Sequence, residues 1–226
     1  GNAVILKPDT QTVLSALWGV EQLEAAGLPS GVIQVVVGDG EVGAAVVEAV
    51  DHVAFTGSTP TGRIVAAAAA KRLTSSTLEL GGKNALYVAD DVDVETAAEG
   101  AVRACFAGAG QVCVSVERIY VHHEVAEAFT AAFVRRTKAL RLGAGLDYGY
   151  DVGSVTTKAQ LEKIVAHFDD AIAKGARVLA GGVHRPDLGP LFFEPTVLAD
   201  VPAEAECFRE ETFGPLVAIS VVESDD

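Results

Sequence analysis

The sequence predicts an α/β protein built on parallel sheet. Three observations carry that expectation. Short β-branched runs alternate with helical stripes of about 10 to 15 residues, the rhythm of βαβ units. Glycine and proline punctuate the junctions, with 23 Gly and 8 Pro in 226 residues. Half of the residues are hydrophobic and mean hydropathy is +0.32, which supplies ample apolar surface for a core and excludes wholesale disorder.

The elements follow in order. Residues 3–6, Ala-Val-Ile-Leu, read as a short buried-type strand. Residues 11–26 carry apolar side chains at 13, 14, 17, 20 and 23, a helical stripe that Gly27 caps and Pro29 follows. Residues 33–37 form a β-branched strand, 42–50 a helix and 52–55 a third strand. Thr59 is placed to cap the next helix, with Pro60 at its first position, and that helix runs through the alanines to Arg72. Residues 78–80 are a fourth strand, closed by Gly81-Gly82, the best candidate for a domain boundary. Beyond it, strands are expected at 85–88, 118–121, 177–180, 192–198 and 216–221. Helices are expected at 94–106, 125–140 and 158–174, and turns at 143–154 and 181–191. The chain starts directly on one strand and stops soon after another, so both ends look cut.

Charge and cysteine usage exclude several classes of function. Lys+Arg is 17 against Asp+Glu 31, a formal charge of -14 with a pI near 4.7. Such a balance repels polyanions, so nucleic acid and anionic membrane surfaces are not expected partners. No apolar run reaches the length of a membrane span, and no signal peptide is visible. Cys105, Cys113 and Cys207 are too few and too widely spaced for a disulfide framework or a CxxC metal cluster. A reducing, cytoplasmic setting without a bound metal is the natural expectation.

Four segments could carry chemistry. Phe55-Thr56-Gly57-Ser58-Thr59-Pro60-Thr61-Gly62 joins a strand to a helix N-terminus, whose free N–H groups and dipole suit a phosphate. An ordinary capped turn would look the same. Phe106-Ala107-Gly108-Ala109-Gly110-Gln111-Val112-Cys113 crowds small residues before a cysteine, either an accessible nucleophile or a packing residue. Cys105, in a helical stripe, and Cys207, in a polar loop stretch, read as structural. Glu79 sits between Leu78 and Leu80 on the opposite strand face. Apolar surroundings there would raise its pKa toward that of a general base, while an edge position would simply face it to water. Glu210-Glu211-Thr212-Phe213-Gly214-Pro215 joins two acids to an aromatic and a turn, or is a solvated loop.

Taken in order, these segments resemble the aldehyde dehydrogenase superfamily of NAD(P)-dependent enzymes. The resemblance rests on Lys7-Pro8, Thr56-Gly57-Ser58-Thr59, Leu78-Glu79-Leu80-Gly81-Gly82-Lys83, Gly110-Gln111-Val112-Cys113 with Arg118, and Glu210-Glu211-Thr212-Phe213-Gly214-Pro215. The cysteine follows the glutamate by 34 positions. The runs at 7–12 and 113–118 look most like bacterial succinate-semialdehyde dehydrogenases. The resemblance implies the later part of a Rossmann-like NAD(P)-binding domain at 1–81 and a cysteine-bearing α/β catalytic domain at 82–226. It implies truncation at both ends, in a family about twice this length, with the intact enzyme a homo-oligomer.

The resemblance also assigns roles. Cys113 is similar to the family nucleophile, which forms a thiohemiacetal and then a thioester with the aldehyde substrate. Glu79 is similar to the base that activates the hydrolytic water, and the Cys113 N–H to half of the oxyanion hole. Lys7, Gly38, Gly57, Ser58 and Leu80 fall on cofactor-binding positions, as do Glu211 and Phe213 at the nicotinamide ribose. Thr10 stands where many NAD-preferring members carry a glutamate, which implies tolerance of NADP. No cation precedes the cysteine loop, where some succinate-semialdehyde enzymes carry an arginine. The family's oxyanion asparagine falls outside these residues, and loss of one such donor costs about 10² to 10³ in rate. Little activity is therefore expected of the 226 residues alone. The competing expectations are a dehydrogenase for another aliphatic or aromatic aldehyde, an inactive cofactor-binding or structural protein, and a thiol hydrolase or esterase. No histidine shows a link in sequence to Cys113 that would favour the last.

Overall fold

A computed structural model of the chain describes residues 1–224. The chain divides into two compact units, Gly1–Gly81 and the residues from Gly82 onward. Both are α/β with parallel strands.

In the first unit β1 (Val4–Leu6) pairs in parallel with β2 (Ile33–Val35), and β3 (His52–Thr56) with β4 (Ser75–Glu79). Helix α1 (Val13–Ala25) joins the first pair. Gly27, at φ 105, ends it in the left-handed conformation that glycine adopts without a Cβ penalty. Helices α2 (Gly40–Ala49) and α3 (Thr59–Lys71) follow, capped by Asp39 and Ser58. The cap of α3 corrects the sequence expectation. Ser58, not Thr59, has the extended backbone and accepts the Thr61 N–H, so Pro60 lies one position deeper. Strand β4 starts earlier than its apolar pattern shows, because Ser75, Ser76 and Thr77 pair with His52, Val53 and Ala54 despite their polarity. Leu80 lies beyond it. The buried core of this unit is small: Val47, Val53 and Ala69.

The second unit is built on a five-stranded sheet in the order β5-β6-β9-β8-β7. Strands β5 (Asn84–Val88), β6 (Val116–His122), β9 (Leu216–Val222) and β8 (Thr196–Ala199) run parallel; β7 (Arg177–Ala180) is antiparallel at the edge. The strand expected at 192–198 is corrected to Thr196–Ala199. Pro195 has no N–H to give to a ladder, and Phe193 makes only an isolated bridge to His184. Helices α4 (Val94–Phe106), α5 (His123–Lys138) and α6 (Lys158–Ala173) cover the sheet. Phe106, Phe129 and Phe133 stack between α4 and α5 at centroid separations of 6.1 and 5.7 Å, over the buried Ile119 and Val121 of β6. Cys207 lies in the single-turn helix α7 (Glu206–Arg209) and is buried, where the sequence reads as a polar loop.

Candidate active site

In the first unit the candidate residues gather at the carboxyl ends of parallel strands, the edge where open α/β sheets bind ligands. Lys7 follows β1, and its Nζ donates to the carbonyls of Pro8 (2.8 Å) and Gly38 (3.2 Å) beyond β2. Two expected cofactor positions, Lys7 and Gly38, are thus in direct contact. Thr10 is exposed in the turn that follows. At the other pair, Thr56 is opposite Glu79 in the ladder, and Gly57 N–H donates to the Glu79 carbonyl at 3.0 Å. The turn Gly57-Ser58 and the carboxylate of Glu79 therefore share one strand end. A Cβ on Gly57 would come within 2.6 Å of the Phe55 ring, so glycine there makes room for the ring. Gly62 plays the same part for Leu80, whose Cδ2 lies 2.5 Å from where a Cβ would stand. The apolar enclosure expected around Glu79 is not found. The residue is exposed, because β4 pairs with β3 alone and nothing within this unit covers that face.

In the second unit Cys113 lies exposed on a turn closed by Ser115 N–H to Val112 O at 2.8 Å. The approach to it is strained. Gly108 (φ 60), Ala109 (φ 57) and Gly110 (φ 69) are left-handed in succession. Each non-glycine residue so held costs about 1–3 kcal/mol and persists only where its surroundings over-determine it. Here Ala109 is buried, and a Cβ on Gly110 would fall on the Gly214 carbonyl. The cysteine loop and the 210–215 loop thus touch backbone to backbone. Gln111 pins the loop from outside: its Nε2 donates to Gly108 O (3.2 Å) and Ser154 O (3.4 Å), and its Oε1 accepts from Thr156 N and Oγ1, both at 2.9 Å. Asn84, the first residue of β5, donates through Nδ2 to the carbonyls of Cys113 (2.8 Å) and Ser115 (3.0 Å). Cys105 is the opposite case. Burial, with Glu117 nearby, pushes its thiol far above the usual cysteine range, and burial also raises Cys207. Of the three thiols only Cys113 is accessible.

The loop at 210–215 is held by buried polar groups. Glu211 is half-buried, and its Oε1 accepts the Gly82 N–H at 3.1 Å. Phe213 is half-buried at φ 56. Beneath them Thr212 is buried, its hydroxyl 3.1 Å from His167 Nδ1. Lys83 and Glu117 form a buried ion pair there. Burial pushes the Lys83 ammonium below the usual lysine range, and Glu117 opposes that shift. Arg118 donates through Nη2 to Lys83 O at 2.7 Å and lies 5.7 Å from the Phe208 ring centroid; its buried Nε is without a partner among the described residues.

Sequence reasoning marks Gln111, Lys83 and Arg118 only as parts of motifs, and it misses Asn84, Glu117 and Gln160. Away from these loops, Asp90, His122 and Glu124 bring one potential ligand atom each within 4.8 Å of one another, but His122 Nδ1 already accepts the Glu124 N–H at 3.4 Å. No helix among the described residues is long and apolar enough to cross a membrane.

Known proteins are similar to this chain in sequence and fold. A protein of Mycobacterium ulcerans, provisionally named an NADP(+) succinate-semialdehyde dehydrogenase, is 50% identical over 220 residues, covering 97% of this chain and 42% of its own length. A betaine aldehyde dehydrogenase of Cereibacter sphaeroides is 43% identical over 228 residues, 47% of its length. Among solved structures, an NADP-dependent enzyme of E. coli superposes with a TM-score of 0.94 at 40% identity, covering 99% of this chain and 47% of the other. A betaine aldehyde dehydrogenase of Staphylococcus aureus, in complex with NAD+, gives 0.91 at 36% identity, with 98% and 45% covered. The chain therefore spans about half the length of the relatives it matches. The aldehyde dehydrogenase family model matches it from residue 1 to residue 226, through every loop described above, and the chain belongs to that family.

Proposed function

We propose that the protein carrying these residues oxidises an aldehyde to a carboxylic acid with NAD(P). One observation supports this most: an exposed cysteine on a strained loop, braced by Asn84 and Gln111 and packed against the loop that bears Glu211 and Phe213. Cys113 Sγ, as thiolate, adds to the aldehyde carbon and gives a thiohemiacetal; the nicotinamide, when bound, supplies the hydride acceptor. Glu79 takes a proton from water as that water attacks the resulting thioester, which releases the acid and frees the thiol. Lys7, with its ammonium at Gly38, and the Gly57-Ser58 turn at the N-terminus of α3 suit the ribose and pyrophosphate. Leu80 packs against Gly62 in α3, and Glu211 and Phe213 serve the nicotinamide ribose. Each unit's donors suit one part of a dinucleotide: the cation and N–H groups of the first unit its anionic half, and the carboxylate of Glu211 in the second a ribose hydroxyl pair.

The substrate class follows the name of the Mycobacterium ulcerans relative, an acid semialdehyde such as succinate semialdehyde, with homo-oligomeric assembly of the whole enzyme. The uncharged Thr10 leaves room for a 2′-phosphate, so NADP is accepted. The test is aldehyde-dependent NAD(P)H formation by the whole native polypeptide. Cys113→Ala is expected to abolish it, and Glu79→Gln to leave one stoichiometric burst without turnover. Turnover in Cys113→Ala overturns the mechanism. Higher kcat/KM for betaine aldehyde than for succinate semialdehyde overturns the substrate class, and strong NAD selectivity overturns the role of Thr10.

A further inference from the structure

Glu117 occupies an irregular place in the sheet. In the β5–β6 ladder Asn84 is opposite Val116 and Ala85 is opposite Arg118, so Glu117 is the extra residue of a bulge. Bulges re-aim a side chain and are over-represented beside active sites. This one turns a carboxylate into the interior, where only 4% of the residue is exposed. Its Oε1 accepts the N–H of Phe213 (2.7 Å) and of Thr212 (3.1 Å), its Oε2 accepts Thr212 N–H again (2.8 Å), and Lys83 Nζ completes the set. From the other side Gln160 Nε2 donates to the carbonyls of Thr212 (2.7 Å) and Phe213 (3.0 Å). Both edges of the Thr212-Phe213 peptide are thus gripped by side chains. Phe213 needs such a grip, because a left-handed aromatic residue relaxes unless its surroundings hold it.

We propose that Glu117 is a positioning residue for the nicotinamide end of the cofactor site, acting through the backbone of Thr212 and Phe213 to fix the directions of Glu211 and Phe213. The inference rests on the cofactor reading above. A carboxylate suits the place because it accepts only; a glutamine would turn an NH2 toward an N–H and leave Lys83 buried without its counter-charge. Lys83 has a separate role, balancing charge.

The experiment measures ADP and NAD(P)H binding to the whole native polypeptide by fluorescence competition, together with thermal melting. ADP lacks the nicotinamide ribose that Glu211 and Phe213 would serve. Glu117→Gln is expected to weaken NAD(P)H about tenfold, the loss of one charge-assisted hydrogen bond. ADP affinity should stay within about twofold. Lys83→Met combined with Glu117→Gln removes the orphaned charge, so melting temperature recovers while NAD(P)H affinity does not. Gln160→Met buries no charge and gives a second reading should Glu117→Gln fold poorly: a loss of about threefold for NAD(P)H alone. Equal losses for ADP and NAD(P)H, or affinity that returns with stability, overturn the positioning role while leaving the cofactor reading intact. Wild-type protein that binds neither ligand overturns the cofactor reading, and this inference with it.

Discussion

The two units use the same βα vocabulary and bury very different amounts of it. In the second, the stacked phenylalanines, all of β8 and the first four residues of β9 are buried. In the first, α1 buries no residue, and Trp18 is 64% and Leu14 81% exposed. Isolated two-stranded pairs are marginal without a hydrophobic face packed on something. Helix and strand can therefore be written into a sequence locally while the stabilising burial is not. The same contrast marks the candidate sites. The cysteine and 210–215 loops hold strained backbone with buried polar clamps, whereas the Gly57-Ser58 turn is an unstrained cap on an exposed edge.

The largest expected effect separates the cores. In the 226-residue polypeptide, Phe133→Ala removes a fully buried ring and should cost about 3–5 kcal/mol in urea unfolding. Trp18→Ala should stay within about 0.5 kcal/mol. Comparable costs would break the comparison. The glycines come next. Gly110→Ala faces both a left-handed φ of 69 and the Gly214 carbonyl, and should cost about 1–3 kcal/mol. Gly43→Ala, inside α2 with its nearest atom Lys7 Cδ at 3.6 Å, should stabilise by about 0.5–1 kcal/mol. A gain at Gly110 would show that the two loops do not pack as described.

The caps sharpen the contrast by erasing it. Ser58→Ala in the first unit and Thr157→Ala in the second remove the same kind of bond, and each should cost about 1 kcal/mol. A tenfold disparity in the effect on helix opening, read by hydrogen exchange, would mean that the caps feel the cores. The smallest effect is electrostatic. Burial, with Lys163 adding to it and Glu206 opposing it, holds His167 below the usual histidine range. Its neutral form is favoured by folding, so the increment it controls is fully present above pH about 6.5, the unfolded value, and is lost as pH falls from there through the lower value of the folded state. His167→Gln should flatten that part of the stability profile, and an unchanged slope would remove His167 from the account.

Much of the fold was legible. The apolar stripes of α4, α5 and α6 and the β-branched runs of β2 and β9 repeat with the periods of helix and strand, and those periods survive any packing. The polar start of β4 was not legible, because Ser75, Ser76 and Thr77 are held by pairing with β3 and not by their own pattern. The true start of β8 was hidden in the same way behind two phenylalanines and a proline. At the candidate site, Cys113, Glu79 and Glu211 were visible because each lies in a short motif of neighbouring residues. Asn84, Gln160 and Glu117 were not. Their partners stand 29, 52 and 95 positions away, and no local pattern reports a bond across that distance.

The sequence by itself determined the α/β alternation, the family and the identity of the candidate nucleophile and base, because periodicity, turn chemistry and short motifs are properties of neighbouring residues. Only the tertiary structure decided which thiol is open to solvent, that Glu79 is exposed and not enclosed, and that a bulge in β6 turns a carboxylate under the Thr212-Phe213 peptide. Burial and long-range hydrogen bonds depend on what the rest of the chain brings alongside, and that is settled only when the sheet has assembled.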